Sequence, residues 1–451
     1  MPIPPRAGAI RLGVTGAFST LEPALAHAPS DRTLHALLYE GLLTFDESLR
    51  PVPVLADGPP EPSSDGLVWT LRCRQDVAFH DGGPFTCADA RTRLESLQAN
   101  ATVITGEDVS AVTLRALLER IASLTLVDDY TLTITLGEPF SYLPEALAHP
   151  AAAVIRPDGM GTGPYRLAAL TDTEATLEAN RAYRLAPLPA ETVILSTLPD
   201  DATWSAATYD AMDTAPIGNT PDGAALLTTP GTAIILLRFG PGDPVASTVA
   251  IRRALDRVID RAALADQVYD GHARPMTSLI MGANSEGGAP VADTLTAARE
   301  LQAEAGWPDG FDMLIYADSA IPRREILGEA LFDQLGALYI TGGAARLELA
   351  IEPPGFILTM PSFPDSYTAL AWLVGADGPA AGDESLRQII AEAQAAPTAP
   401  ERGAALAVAR SRLSETLPVI TLVALDARAL ARPDAPVRLS PFGWLEIRLS
   451  D

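Results

Sequence analysis

Residues Asp65 to Leu94 read DGLVWTLRCRQDVAFHDGGPFTCADARTRL, and the pattern of this stretch decides the fold. Apolar and polar side chains alternate from Val68 to Cys73, and this period of two predicts a strand with one buried face. Val77 to Phe79 predict a short second strand. Asp81 to Pro84 predict a tight turn, because glycine favours positive φ and proline donates no ladder hydrogen bond. A hairpin and a glycine-rich turn are therefore expected here.

A helix is expected to follow the turn directly. Thr86 is followed three residues later by Asp89, which is typical of a capping box, and Leu94 and Leu97 carry the apolar side of the helix.

The two cysteines of the chain, Cys73 and Cys87, lie on either side of this turn. A disulfide is possible if the hairpin brings them together. We favour two independent small apolar residues, because one cysteine is predicted in a strand and the other in the first turn of a helix.

The string FHDGGPFTCAD resembles the signature of the extracellular solute-binding proteins that serve peptide and nickel ABC importers. Six further motifs in the family's order lie between residues 20 and 311, about two thirds of the chain. They are TLEPALA (20–26), LLYEGLLTFD (37–46), VDDYTLTITLGEPF (127–140), GTGPYRL (161–167), IRRALDRVIDRAAL (251–264) and LQAEAGWPDGF (301–311). Each motif is weak alone, but their shared order makes chance similarity improbable.

The resemblance implies an α/β, two-lobed periplasmic-binding-protein-like fold of type II, with an extra subdomain in lobe I. It places lobe I at residues 1–232, with the small subdomain near 50–150. Lobe II is expected at 233–418, and residues 419–451 are expected to return to lobe I. The lobes would then be joined by two hinge crossings.

Composition is consistent with this organisation. A chain of 451 residues is too long for one ordinary core, so two or three domains are expected. The formal charge of −25 argues against binding nucleic acid, which needs clustered basic residues. No uninterrupted apolar run approaches the roughly 20 residues of a membrane-spanning helix.

The N-terminal residues MPIPPRAGAIRLGV contain no apolar core or cleavage site of a secretory leader. Because members of the resembled family are exported, we expect a periplasmic protein whose leader is not part of the given sequence. If no leader is encoded, the protein is expected in the cytoplasm.

Four segments of the remaining chain matter below. Ala233 to Phe239 is an apolar run interrupted only by Arg238, and it predicts a buried strand that leads into the second lobe. Tyr367 to Trp372 and Val419 to Leu425 are also predicted as strands, and Trp204 to Tyr209 as a short helix.

The sequence contains no recognised catalytic pattern. It lacks GxSxG, HExxH, CxxC and a Walker loop, and its five histidines are scattered. We therefore expect no catalytic residues, no resident metal and no cofactor, and we expect His80 to serve the geometry of its turn.

The resemblance suggests which residues contact the ligand. Phe18, Ser19 and Thr20 follow the first strand, whose loop lines the cleft in the family, and Tyr165 follows the turn at its mouth. Arg238, as a charge in a buried strand, needs an acidic partner or an anionic ligand. The full set of expected ligand-binding residues is Phe18, Ser19, Thr20, Tyr165, Arg238, Trp372 and Asp377, with Asp383 as an alternative to Asp377.

Two departures weigh against the nickel-type members. Pro150 stands where they have an arginine that holds the chelator, and the segment that carries their histidine is missing. Gly240 also replaces an asparagine that is common in the family.

We therefore hypothesise a non-enzymatic substrate-binding component of an ABC importer, a monomer that closes its lobes over a short peptide or peptide-like ligand and delivers it to a membrane permease. A leaderless intracellular binding or sensing relative, or a nickel-chelate binding protein, is the alternative.

Overall fold

The structure, a computed structural model, describes residues 8–100, 111–199, 202–240, 242–280, 294–346 and 355–449. Its contacts divide the chain into two compact units. The first unit contains Met1–Gly231, Ala393–Arg402 and Ala427–Asp451, and the second contains Thr232–Glu392 and Gly403–Asp426.

Strands and helices alternate in both units. The strands are β1 Ile10–Val14, β2 Leu43–Phe45, β3 Pro51–Pro53, β4 Glu61–Pro62, β5 Val68–Arg72, β6 Ile121–Asp128, β7 Thr131–Leu136, β8 Tyr165–Leu170, β9 Glu174–Ala179, β10 Thr192–Thr197, β11 Ala211–Met212, β12 Ala225–Thr229, β13 Ile234–Gly240, β14 Ala273–Pro275, β15 Asp312–Ala317, β16 Thr341–Arg346, β17 Gly355–Thr359, β18 Val419–Leu425, β19 Ala427–Ala431, β20 Val437–Leu439 and β21 Leu445–Ile447. The helices are α1 Pro29–Leu38, α2 Cys87–Ala99, α3 Val112–Arg120, α4 Leu143–Ala148, α5 Pro244–Ser247, α6 Val249–Val258, α7 Arg261–Tyr269, α8 Thr294–Glu304, α9 Arg324–Leu335, α10 Ser366–Val374, α11 Glu384–Ala395 and α12 Ala399–Thr416. Short 3-10 turns occupy Pro23–Leu25, Pro150–Ala152 and Gly336–Leu338.

The first unit is built on a seven-stranded sheet with the order β12-β19-β11-β1-β10-β9-β8. The strand β1 lies between β10 and β11 and pairs with both in parallel. Its residues Ile10, Leu12 and Val14 are completely buried, and α1 contributes Leu34, Leu37 and Leu38 to the same core. Alternation along β1 and the periodic apolar side of α1 thus bring the two elements together.

A second, four-stranded sheet of the first unit has the order β4-β5-β7-β6. It lies within the predicted subdomain near residues 50–150. The helix α2 packs on β6 and β7 and begins with the predicted capping box, in which Thr86 and Asp89 bind each other's backbone amides.

The second unit contains a six-stranded sheet with the order β14-β18-β13-β17-β15-β16. The predicted strand Ala233 to Phe239 corresponds to β13, which lies inside this sheet between β17 and β18. Its first four residues are fully buried, as a strand covered on both faces requires.

The boundaries of the units differ from the predicted lobes at the C-terminal end. The chain first crosses from the first unit to the second between Gly231 and Thr232, one residue from the predicted boundary. The predicted return at residue 419 is wrong, because Val419–Leu425 pairs with β13 and belongs to the second unit. The return begins at Ala427, and a separate segment, Ala393–Arg402, also lies in the first unit.

Three predicted elements are wrong. Tyr367 to Trp372 lie in the helix α10, not in a strand, because Asp365 accepts a hydrogen bond from the Thr368 amide at 2.8 Å and caps the first turn. Val77 to Phe79 form irregular chain with one isolated bridge, Ala78 to Pro84, instead of a strand. Trp204 to Tyr209 form irregular chain and a turn.

The favoured interpretation of Cys73 and Cys87 as two independent, unbonded residues is also wrong. Cys73 and Cys87 are bonded, with their Cα atoms 5.7 Å apart. Residues 74–86 fold back as a compact turn, so the end of β5 reaches the start of α2. The disulfide therefore ties the sheet of the subdomain to the helix that packs on it.

Within the described ranges, none of the helices is both long enough and apolar enough to cross a bilayer.

Candidate functional site

The carboxyl ends of three parallel strands meet at one edge of the first unit's sheet. The chain runs from β1 to β10 on one side and later to β11 on the other, so β1 is the point at which the strand order reverses. Ligands of open α/β sheets bind outside the carboxyl ends of strands at such a point. The loop after β1, which contains three of the predicted site residues, begins here.

A carboxylate at this edge fixes the end of β1. The backbone amide and the hydroxyl of Thr15 each donate a 2.7 Å hydrogen bond to Asp213, which follows β11. Burial raises the pKa of Asp213, while the Thr15 hydrogen bonds act in the opposite direction. These two hydrogen bonds therefore hold the start of the loop in a defined orientation relative to the sheet.

A second carboxylate, that of Asp31 in α1, holds the loop itself. It accepts hydrogen bonds from the Ser19 amide at 2.9 Å, the Ser19 hydroxyl at 2.5 Å and the Thr20 amide at 3.4 Å. Asp31 is completely buried, so these donors offset the cost of removing its charge from water. The loop is therefore a preorganised surface.

The three predicted residues of this loop differ in exposure. Ser19 is exposed and Thr20 is half-buried, whereas Phe18 is buried in the core of the unit. Ser19 and Thr20 can present polar groups to a ligand. The Phe18 ring supports the loop from below.

Tyr165 is placed differently from its expected position. It begins β8 and is completely buried in the same core. Burial raises the pKa of its hydroxyl well above the ordinary value. Contact between Tyr165 and a ligand stays a prediction, and in this structure the ring packs against the interior.

The turn of FHDG and the motif GTGPY contact each other through the backbone. The His80 amide donates to the Gly161 carbonyl at 3.0 Å, and the His80 Nε2 donates to the Gly163 carbonyl at 3.2 Å. Burial lowers the pKa of His80, although the hydrogen bond to Gly163 acts in the opposite direction. His80 therefore has the structural role expected from the sequence.

In the second unit, Arg238 is a half-buried residue of β13 whose Cα neighbours are Ile357 and Val419. The next residue, Phe239, contacts Phe356 edge-on at 5.9 Å and lies 4.3 Å below the Arg252 guanidinium. Because side chains alternate along a strand, Arg238 belongs to the opposite face of the sheet.

Trp372 and Asp377 also lie in the second unit. Trp372 is half-buried in α10 and its ring centroid is 5.4 Å from that of Phe363. Asp377 is exposed in the turn after α10. Asp383 accepts hydrogen bonds from Arg412 at 2.9 and 3.2 Å and caps α11 through the Leu386 amide, so it is less available than Asp377.

Sequence reasoning missed Asp31 and Asp213. Thr15 and Asp213 are 198 positions apart, and no local pattern connects them. Asp31 lies in the first turn of α1, and no local pattern indicates that its carboxylate would hold the loop. Within the part of the chain that the structure describes, no group of three or more histidine, cysteine or acidic residues is arranged to hold a metal.

Two α/β units, the first with a preorganised loop at a strand-order reversal, are the architecture expected of a two-lobed binding protein. Residues 50–341 match the family described as bacterial extracellular solute-binding proteins, family 5, middle region, and the chain belongs to this family. The resemblance drawn from the seven motifs is confirmed.

Two curated relatives illustrate the similarity. The glutathione-binding protein GsiB of Pectobacterium atrosepticum is 28% identical over 331 residues, covering 68% of this chain and 63% of that protein. GsiB of Salmonella paratyphi A is 29% identical over 327 residues, covering 66% and 62%. The chain thus spans less than two thirds of the length of these relatives.

The fold is shared over nearly the whole chain with HbpA2 from Haemophilus parasuis, at a TM-score of 0.80 and 21% identity, covering 98% of this chain and 100% of that one. An ABC transporter substrate-binding protein from Sinorhizobium meliloti gives a TM-score of 0.78 at 20% identity, with the same coverage. The predicted two-lobed α/β fold class is confirmed.

Proposed function

We propose that this protein is the substrate-binding component of an ABC importer, and that it binds a short peptide or peptide-like compound by closing its two lobes. It acts outside the cytoplasmic membrane as a monomer, delivers the ligand to a membrane permease and catalyses no reaction. Membership of the solute-binding family over residues 50–341 is the observation that carries this proposal.

The names of the curated relatives support a peptide-like ligand. They are glutathione-binding proteins, and glutathione is a tripeptide with two carboxylates and one ammonium group. Arg238 suits a ligand carboxylate, because a guanidinium binds carboxylates through two parallel hydrogen bonds. The exposed carboxylate of Asp377 suits the ammonium group, and the half-buried Trp372 provides apolar surface.

The first unit contributes polar contacts from a fixed loop. Ser19 and Thr20 are the available residues, because Asp31 orders their backbone and leaves Ser19 exposed. A loop ordered before binding loses little conformational entropy when the ligand arrives. We assign Phe18 to the support of this loop, because its side chain is buried.

The nickel-chelate alternative is less well supported. Pro150 stands where nickel-type members have an arginine. In this structure Pro150 begins the 3-10 turn Pro150–Ala152. The intracellular alternative is tested by reading the DNA upstream of the coding sequence for an in-frame secretory leader.

A thermal-shift screen tests the proposal directly. The panel contains reduced glutathione, dipeptides, tripeptides and nickel with histidine. A ligand at 100 times its Kd should stabilise the folded protein by about 2.7 kcal/mol. Stabilisation by peptides is expected, stabilisation by nickel with histidine alone would support the chelate alternative, and no stabilisation by any compound would contradict the proposal.

A pair of matched variants then tests the site. Arg238→Gln should weaken peptide binding by about tenfold or more, because it removes a charge-assisted hydrogen bond. Arg181→Gln is the control, since Arg181 lies in the first unit and pairs with Glu191, and both side chains are exposed. Equal affinities of the two variants would remove Arg238 from the site.

A further inference from the structure

A cavity of about 450 Å³ lies inside the first unit, apart from the loop after β1. It is bordered by α1, by residues 148–151, by residues 183–185 and by the hairpin of β20 and β21. Its volume lies in the range of pockets that bind small molecules.

A buried ion pair forms one wall. The carboxylate of Glu40, 8% exposed, accepts hydrogen bonds from the Tyr183 hydroxyl at 2.8 Å and from Arg184 at 2.7 and 2.9 Å. Glu40 is therefore fully engaged, and this wall is rigid and preorganised.

A second wall holds a buried hydrogen-bond acceptor. His35 is 6% exposed, and its Nε2 donates to the Thr20 carbonyl at 2.9 Å. Burial lowers the pKa of His35, and in the neutral ring that donates through Nε2 the Nδ1 is an acceptor. Among the described residues, Nδ1 has no hydrogen-bond partner. Nδ1 is itself shielded, so a hydroxyl or N–H group of a ligand reaches it when the His35 ring turns toward the cavity.

The charge of the lining is opposite to that of the chain. Four arginines and two glutamates border the cavity, in a protein with a formal charge of −25. Glu40 neutralises Arg184, and Glu446 accepts a 2.7 Å hydrogen bond from Arg438. Arg448 is exposed, donates to the Val437 carbonyl at 3.3 Å and has no acidic partner among the described residues. The lining therefore favours an anion.

An aromatic pair completes the lining. Phe442 and Trp444 are stacked, with their ring centroids 4.8 Å apart and their planes inclined by 6°. Both residues border the cavity. Their surfaces favour a planar apolar group beside the anionic one.

We propose that this cavity is a second ligand site, which binds a small aromatic carboxylate that carries a hydroxyl group. The carboxylate pairs with Arg448, the aromatic ring packs against Trp444, and the hydroxyl donates to His35. This site lies within the first unit, and its lining does not include Ser19 or Thr20, which are assigned to the peptide site above.

The first test uses 3-iodo-4-hydroxybenzoate as the probe, soaked into crystals of the wild-type protein. The iodine gives an anomalous peak, and a peak inside the cavity bordered by Arg448, Trp444 and His35 is expected. Peaks only at other positions, or no peak, would overturn the proposal. The position of the peak is informative whether or not the protein binds peptides, so this proposal and the proposed function can fail separately.

Calorimetry of the wild-type protein with matched compounds tests the chemistry. The neutral 3-iodo-4-hydroxybenzamide should bind at least tenfold more weakly than the probe because it lacks the charge. The compound 3-iodo-4-methoxybenzoate should bind about tenfold more weakly because it cannot donate to His35. Equal affinities for the three compounds would overturn the assignment.

Variants of two arginines in the first unit provide the residue-level control. Arg448→Gln should raise the Kd of the probe about tenfold, whereas Arg181→Gln should leave it unchanged. If Arg448→Gln fails to fold, the series of compounds on the wild-type protein decides. An unchanged Kd in a folded Arg448→Gln variant would contradict the role of this arginine.

Discussion

The guanidinium of Arg93 in α2 holds the carboxylate of Glu22 through hydrogen bonds of 2.6 and 3.0 Å. The same guanidinium donates to the Ala151 carbonyl at 2.8 Å. Glu22 belongs to TLEPALA and Arg93 to the helix that begins in FHDGGPFTCAD. Two of the motifs are therefore parts of one packed structure, although these residues are 71 positions apart.

Glu22→Gln should destabilise the protein by about 2–3 kcal/mol, because the side chain of Arg93 is only 4% exposed and would lose its counter-charge. Urea unfolding measures this change. Glu61→Gln is the matched control, since the Glu61–Arg72 pair is exposed on both sides, and no measurable change is expected there. Similar losses in the two variants would show that burial of Arg93 is not the cause.

Removing the disulfide by Cys73→Ala and Cys87→Ala together should cost about 3 kcal/mol, as expected for a cross-link 14 positions apart. The wild-type protein should lose a similar amount when a reductant is added, and the double variant should not respond to it. Wild-type stability that is independent of the reductant would mean that the bond is absent.

Gly163→Ala should destabilise the protein by about 2–3 kcal/mol, because a Cβ there would lie 2.5 Å from the Leu38 carbonyl carbon and 2.6 Å from the Leu37 oxygen. Gly403→Ala should have the opposite effect and stabilise the protein. Its Cβ would meet nothing within 4 Å, and the residue lies in α12, so a gain of about 0.5–1 kcal/mol is expected. Thermal unfolding of both variants checks the signs, and a neutral Gly163→Ala would refute the close approach.

Stability should fall as the pH decreases below about 6.5. Burial lowers the pKa of His35, and Arg93 acts in the same direction, while Thr20, Asp31 and Glu22 act against it. Between its lowered pKa and the ordinary value, His35 binds a proton only in the unfolded chain. The free energy of unfolding therefore rises with pH in this window.

Urea unfolding from pH 5 to 7.5 measures this slope. The variant His35→Asn, which keeps a donor but does not titrate, should show a smaller slope than the wild-type protein. An unchanged slope would exclude His35 as a contributor.

Local sequence patterns predicted secondary structure correctly where one signal, such as a β-branched run or a helix cap, dominated. Val419–Leu425 was predicted as a strand with the same bounds that the structure shows, and Thr86 was identified as a helix cap. The assignment of Val419–Leu425 to the returning lobe failed, because a strand pattern does not specify the sheet in which the strand pairs.

Other features depended on contacts that the local sequence does not encode. Tyr367 to Trp372 form a mostly apolar run, and such a run suits a buried helix as well as a buried strand. The Asp365 cap decided in favour of the helix. Asp31 and Asp213 bind residues of the loop after β1 that only the folded chain brings close to them. Their roles in ordering this loop could therefore not be predicted from spacing.

The central claim, that this family member is a receptor for a peptide-like solute, is tested most directly by titration calorimetry of the wild-type protein with reduced glutathione and a library of dipeptides and tripeptides. The account predicts saturable binding of one ligand per chain, with a Kd in the micromolar range or tighter and a weaker Kd in Arg238→Gln. Absence of saturable binding to every member of the set would contradict it.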